Sequence, residues 1–354
     1  MSGATISGIT AELIDRKLVF EKETGTSRGG RRPILLALDP KGGYVIGLKL
    51  SEDHITGVLT DLKATVIASH TNGLKGRSVE TVMDAVEDVV SALLTKSGLK
   101  HKQLLGVGVG LAGIIDTDSR RLRHSPIFGW RNVPLSDLLQ ERLNVSVYLD
   151  NDVNTLTLAE QWFGVGQGVN NFLVVTIGRG VGLGMVINGQ IYQGAHGGAG
   201  ELGHTVIDPM GPLCKCGKTG CLETYLADPA LVSMGAASFK DVITVDDLLA
   251  LAHEGQQAAI DVYSGAGDAL AKGIANLINV LSPELIIISG EGVRAGDLLF
   301  KPMNNALKKY VMPGLSEDTQ IQIDSWDDDA WARGAASLVL GELYVSPLVR
   351  EAVA

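Results

Sequence analysis

The chain reads as a two-lobed α/β protein, and three observations point there. A strand, turn, strand and strand pattern begins at Gly43 (GYVIGLKLSEDHITGVLTDLKATVIAS) and returns at Phe172 (FLVVTIGRGVGLGMVINGQIYQG). Helical segments separate the two copies, which is the sign of a duplicated unit. The 354 residues, 45% hydrophobic and 20% charged, suffice for two cores.

Taken in order, Gly3 to Leu18 puts Ile6, Ile9, Leu13 and Ile14 on one face at helical spacing, with Thr5 and Ser7 near its start. The stretch LVFEKETGTSRGGRRPILLAL then reads as strand, turn and strand, with Gly25, Gly29 and Gly30 allowing the reversal and Arg28, Arg31 and Arg32 at its tip. A helix followed by a basic hairpin is the second half of a winged helix-turn-helix. Residues 1–36 hold six Lys or Arg against four acids, so the chain's net charge of −10 is carried by the rest. A basic head on an acidic body suits a DNA-touching segment joined to a part with other work, and excludes a protein that coats nucleic acid with its whole surface. The two helices that precede such a helix in a complete head are not in the sequence, so the head reads as truncated or its start as misassigned; an extension that binds no DNA is the alternative.

Between the repeats, Ser78 to Leu94 is an amphipathic helix whose valines and Leu93 form a packing face. LLGVGVGLAGIID, from Leu104, is a buried strand breaking into a glycine loop, and VSVYLDNDVNTLTLAEQWFG runs from a strand into a helix at Asp150, Asn151 and Asp152. Asn and Asp at such a junction are first of all helix caps. Beyond residue 246 come helices interrupted near Gly255, the buried strand LIIIS ending in a glycine turn at Gly290, and a last helix from Trp331 to Leu343 with the small run Gly334, Ala335 and Ala336. The longest apolar runs fall far short of the ~20 residues of a membrane span, and no signal peptide is visible. A soluble, cytoplasmic protein with no membrane partner is expected.

The stretch GELGHTVIDPMGPLCKCGKTGCLETY, from Gly200, carries the chemistry. It contains all three cysteines, Cys214, Cys216 and Cys221, with His204 just upstream. Three thiols and an imidazole make a complete tetrahedral donor set for a structural Zn2+, and Gly217 and Gly220 let a short loop fold its ligands onto one point. Buried thiols or a disulfide are the alternative, but three cysteines leave one over and Cys214 and Cys216 are too close to bridge comfortably. Glu201 and Glu223 flank the set. Each alone reads as a solvated charge; held together beside an imidazole they suit the hydroxyls of a sugar.

GELGH followed by CKCGKTGCLE resembles the signature of the ROK family, which groups bacterial sugar kinases, sugar-responsive repressors and open reading frames. The resemblance runs through nearly the whole chain. It implies a two-lobed actin-like, hexokinase-like ATPase fold with ribonuclease H-like lobes, here behind a partial winged helix-turn-helix. It also implies that His204, Cys214, Cys216 and Cys221 hold zinc, that Glu201, His204 and Glu223 face a sugar, and that Asn151 binds it beside Asp152, the base of the kinases. Trp130 is similar to a position near the family's sugar pocket. Gly29 to Pro33 resembles the wing of the ROK repressors.

In kinases of this fold both hairpin turns wrap ATP phosphates with backbone N–H groups. The second turn keeps Gly178, Gly180, Gly182 and Gly184, and Gly290 is similar to the adenosine-side loop. In the first, Lys49, Leu50, Ser51, Glu52 and Asp53 replace the kinases' Asp-x-Gly-Gly-Thr, setting acids where phosphates would sit, while Arg179 stands where the second turn usually has a small hydroxyl residue.

The expected organisation is a head over 1–38, an N-terminal lobe over 39–150 with the helix of 330–354 packing back on it, and a C-terminal lobe with the zinc knuckle over 151–329. The expected function is a sugar-responsive repressor, binding a sugar or sugar phosphate in the cleft between lobes and operator DNA through Thr5, Ser7, Arg28, Arg31 and Arg32, as a homodimer or homotetramer. The alternatives are an ATP- and Mg2+-dependent, glucokinase-like ROK kinase with Asp152 as base, and a sugar-binding protein that touches no DNA.

Overall fold

The computed structural model describes residues 3–24, 34–117, 119–242, 244–315 and 317–344. The chain divides into two compact units, one formed by 1–159 and 328–354, the other by 160–327. The first crossing therefore falls inside the helix that follows Asn151, so Asn151 and Asp152 lie in the first unit and not with the second lobe, where the sequence boundary at 151 puts them.

The first unit starts with helix α1 (Gly3–Asp15) and the antiparallel pair β1 (Val19–Thr24) and β2 (Ile34–Leu38). Then come β3 (Tyr44–Leu50), β4 (His54–Asp61), β5 (Val66–Gly73), α2 (Val79–Ser97), β6 (Leu104–Leu111), the short strands β7 (Ile114–Ile115), β8 (Leu122–Ser125) and β9 (Trp130–Val133), α3 (Leu135–Leu143), β10 (Val147–Asn151) and α4 (Asp152–Phe163). Ser78 caps α2 by accepting from the Thr81 N–H, and Gly98 closes it in the left-handed region at φ 69°. Between these stops Val82, Val86, Val89, Val90 and Leu93 are buried against the sheet.

The second unit contains β11 (Phe172–Ile177), β12 (Val181–Ile187), β13 (Gln190–Ile191), the helices α5 (Glu223–Leu226), α6 (Asp228–Ala236), α7 (Val245–His253) and α8 (Gln257–Leu281), then β14 (Leu285–Ser289), α9 (Asp297–Tyr310) and β15 (Gln320–Ile323). The chain returns to the first unit as α10 (Asp328–Tyr344).

The two main sheets share one topology. In the order β10-β6-β3-β4-β5, strands β10, β6 and β3 are parallel and β4 and β5 follow as antiparallel neighbours. In the order β15-β14-β11-β12-β13 the pattern repeats strand for strand. Each sheet has its own core, around Ile46, Leu48, Val107 and Val109 in one and Val175, Leu270, Ile286 and Ile288 in the other. Small residues let α10 lie close on the first sheet: a Cβ on Gly47 would stand 1.8 Å from the Ala332 carbonyl oxygen, and one on Gly108 1.8 Å from that of Ala335. No helix among the described residues is long and apolar enough to cross a membrane.

Candidate functional site

The cysteine segment forms a knot at one end of the second sheet. Glycines make it possible: Gly220, at φ 69°, passes so close to Asp208 that a Cβ would lie 1.5 Å from its carbonyl oxygen. Backbone bridges pair Val206 with Cys221 and Leu213 with Thr219, and the Cys214 N–H donates to the Lys218 carbonyl at 2.8 Å. The donor atoms of His204, Cys214, Cys216 and Cys221 consequently all lie within 4.8 Å of one another. Cys214 Sγ is 3.5 Å from His204 Nδ1, and Cys216 Sγ is 3.6 Å from Cys221 Sγ.

Zn–S bonds of about 2.3 Å at tetrahedral angles set ligand sulfurs roughly 3.7 Å apart, so the four donors fit a zinc ion. Three thiols and one imidazole so placed could hold a metal ion. Burial pushes the Cys221 thiol up to about 12, whereas the Lys218 backbone N–H draws the exposed Cys216 below the usual thiol range.

The knot brings Glu201 to His204, Oε2 to Nε2 at 3.9 Å, so one ring nitrogen faces a cysteine and the other a carboxylate. Glu223, two residues past Cys221, is buried at the start of α5. Its Oε2 accepts the Val181 N–H at 3.3 Å, and its Oε1 pairs with Lys215 Nζ at 3.0 Å. Glu223 thereby ties the knot to the β11–β12 turn. That turn keeps its glycines but faces acids of its own chain. A Cβ on Gly178 would meet Glu291 Oε2 at 2.2 Å, and one on Gly180 would meet Glu223 Oε2 at 3.1 Å. Gly290, at φ 93°, packs against the Ile177 carbonyl.

The β3–β4 turn is built on charge. Lys49 Nζ meets Asp328 Oδ1 at 2.6 Å and lies 4.1 Å from the centre of the Trp331 ring. His54 lies 2.7 Å from both Asp328 Oδ2 and Asp53 Oδ1, and Glu52 pairs with Arg77. Burial alone would lower His54, but its bonds to Asp328 and Asp53 hold it above the ordinary imidazole value. The same bonds, with Lys49, outweigh burial at Asp328 and keep it below the usual carboxylate range.

At the β10–α4 junction Asn151 acts as the cap its residue type suggests. Its Oδ1 accepts the Val153 N–H at 2.8 Å and its amide donates to the Gly113 carbonyl at 3.0 Å, while Asp152 Oδ1 accepts the same N–H at 3.0 Å. Buried Asp150 holds the bend by accepting from the Asn151 N–H at 2.7 Å and the Asn154 amide at 2.8 Å. Trp130 is a core residue: it stacks on Phe128 with centroids 4.6 Å apart and donates to the Arg77 carbonyl. Thr5 and Ser7 are exposed on α1, whereas Arg28, Arg31 and Arg32 lie outside the described residues.

Sequence reasoning did not single out Lys215 or the closing of Lys49 and His54 on Asp328, and it named Asp150 at the junction without its bonds to Asn151 and Asn154. Lys215 was within reach, standing between Cys214 and Cys216. Asp328, far from Lys49 along the chain, reads only as a helix-start acid.

This fold and this knot place the protein in the ROK family, and the family model matches residues 45–342, so the chain belongs to it. Within the family it stands with the sugar-responsive transcriptional repressors. It is 30% identical over 340 residues to the xylose repressor of Bacillus subtilis (strain 168), covering 96% of this chain and 88% of that protein. It is also 30% identical over 348 residues to the DNA-binding transcriptional dual regulator NagC of Escherichia coli (strain K12), covering 96% and 86%. Among solved structures, a ROK family transcriptional regulator, a homolog of the E. coli MLC protein, superposes with TM-score 0.85 at 27% identity over 97% of this chain and 89% of that one. A ROK family glucokinase from Streptomyces griseus in complex with glucose and AMPPNP superposes with TM-score 0.73 at 25% identity over 84% and 99%.

Proposed function

We propose that this protein represses transcription in response to a sugar, and that its sugar contacts are Asn151, Asp152, Glu201, His204 and Glu223. The acids accept hydrogen bonds from hydroxyls, and the Asn151 side chain orients the bend that presents Asp152. Zinc held by His204, Cys214, Cys216 and Cys221 would fix the loop geometry on which Glu201 and Glu223 depend; that is the whole of its chemistry here. Operator DNA is taken by α1, with Thr5 and Ser7, and by the arginines Arg28, Arg31 and Arg32, whose planar cations suit phosphates and narrow minor grooves. The sugar regulates only by binding one arrangement of the chain better than another.

The observation that carries this reading over a kinase is the β3–β4 turn. Asp152 works as a base only if a γ-phosphate is held for transfer. Where the fold's kinases use glycines to hold phosphate, this turn has none, and Lys49, His54, Asp53 and Asp328 bind one another instead.

The test pairs two assays on the purified chain. Genomic fragments retained by the protein should be released by a member of a panel of D-xylose, D-glucose, N-acetyl-D-glucosamine and their phosphates. ATP with the same panel should give no phosphoryl transfer. Turnover at ordinary enzymatic rates, abolished by Asp152→Asn, would overturn the proposal in favour of the kinase.

A further inference from the structure

We infer that Lys215 makes the site selective for an anionic sugar, one carrying a phosphate or carboxylate, over its neutral parent. The inference rests on the proposal that Glu201, His204 and Glu223 face the sugar. Lys215 lies between the ligands Cys214 and Cys216, and its backbone is held by the tight turn in which the Gly217 N–H donates to the Cys214 carbonyl at 2.9 Å. A cation on so short a loop has little freedom except along its own side chain.

Its ammonium reaches Glu223 Oε1 at 3.0 Å, and the two side chains differ sharply in exposure, 59% for Lys215 against 10% for Glu223. An ammonium carries three N–H donors. One is directed to Glu223, its only partner among the described residues, which leaves the others open to solvent at the edge of the proposed sugar contact. Lys218, by contrast, is committed to the knot, donating to the His204 carbonyl at 2.8 Å.

The other oxygen of Glu223 is committed as well, to the Val181 N–H of a turn that also carries the exposed Arg179. The carboxylate is thus already hydrogen-bonded on both oxygens, with cationic residues on the segments to either side. Each carboxylate oxygen accepts more than one hydrogen bond, so Glu223 still takes a sugar hydroxyl, a contact that is the same for the neutral sugar and its anionic form. A phosphate or carboxylate gains charge-assisted bonds from the open ammonium donors without displacing it from Glu223. As a partly exposed ion pair, the Lys215–Glu223 contact adds little to stability, so Lys215 is free to serve selection rather than folding.

The experiment is calorimetric titration of the zinc-loaded full chain with D-glucose, N-acetyl-D-glucosamine, the 6-phosphate of each, and inorganic phosphate. One 6-phosphate should bind at least about ten-fold more tightly than its neutral parent, and more tightly than inorganic phosphate. Lys215→Met should bring the two forms to within roughly two-fold with zinc content unchanged, while Lys215→Arg keeps the preference. A neutral parent that binds as well as its phosphate, a preference that survives Lys215→Met, or inorganic phosphate binding as tightly as the sugar phosphate would each overturn the inference while leaving the sugar reading standing. Failure of all these sugars and sugar phosphates, and of D-xylose and its phosphate in the same titration, to bind would remove the sugar reading itself, and this inference with it.

Discussion

The two hairpin turns occupy equivalent places in two sheets of one topology and hold their shape by different means. The β3–β4 turn has no glycine and is clamped by side chains from a distant segment: Lys49 and His54 both close on Asp328 at the start of α10. The β11–β12 turn keeps Gly178 and Gly180 but no longer offers its backbone freely, because Glu223 takes the Val181 N–H and Glu291 packs on Gly178. One turn has no glycine; the other has glycines with carboxylates set against them. In both, the turn is held by side chains of its own chain. The difference lies in what each depends on, a network of ionisable side chains in the first and the cysteine knot in the second.

That difference predicts unequal responses to metal removal, and here the largest effect is expected. The proposed zinc should be found at about one per chain, and Cys216→Ser should abolish it and weaken binding of the panel sugars by about a hundred-fold, since Glu223 sits two residues beyond Cys221. Metal analysis and calorimetry on the same preparation check this. Full sugar affinity without metal would break the proposed link between knot and site. The His54 titration, followed by NMR, should be unmoved, because the groups that raise it are Asp328 and Asp53.

The reverse change is Asp328→Asn. It leaves Lys49, whose side chain is 12% exposed, facing a neutral amide, and removes a charged partner from His54. Breaking a buried pair from one side costs several kcal/mol, but Asp328 is partly exposed, so a loss of about 2 kcal/mol in urea unfolding is the discounted expectation. Zinc content should not change. If it falls, the two turns are not independent.

How far this contrast was legible beforehand depends on the range of the interactions. The duplicated strand pattern, the knot and the cap at Asn151 are local: alternation, clustering and residue type at a junction announce them. The small run at Gly334 announced close packing but not its partners, which are Thr155 for Gly334 and, for Ala335 and Ala336, Gly108 and Gly47. Lys49 could be seen as a departure from the kinase pattern, yet nothing near it in the chain named Asp328. Likewise Glu223 was visible as a carboxylate beside a ligand, while its bond to Val181 required the fold to bring the two together.

A pH series sharpens the contrast further. His54 is raised in the folded state, so its contribution is complete below its unfolded value of about 6.5 and is lost as pH rises through the higher folded value. Asp328 is lowered, so its contribution is present above about 3.9 and is lost as pH falls through the lower folded value. The stability gap between the native chain and Asp328→Asn should therefore be widest between about pH 4 and 6.5 and should narrow above that window. A gap that is flat from pH 5 to 9 would show that His54 takes no part in clamping the turn.

The smallest effect isolates the second turn from its metal. Gly180 lies outside the positive-φ region, so alanine is allowed by the backbone there, and the new Cβ would stand 3.1 Å from Glu223 Oε2. That is tight enough to push the carboxylate a few tenths of an ångström off the Val181 N–H without touching a zinc ligand. Sugar affinity should fall about two- to five-fold, as for a weakened neutral-donor hydrogen bond, with zinc retained. Ser51→Ala in the first turn should leave sugar affinity unchanged. Should Gly180→Ala instead cost as much as Cys216→Ser, the turn's backbone would be touching the ligand itself, and the account of Glu223 as the tie between turn and knot would give way to one in which the turn still binds.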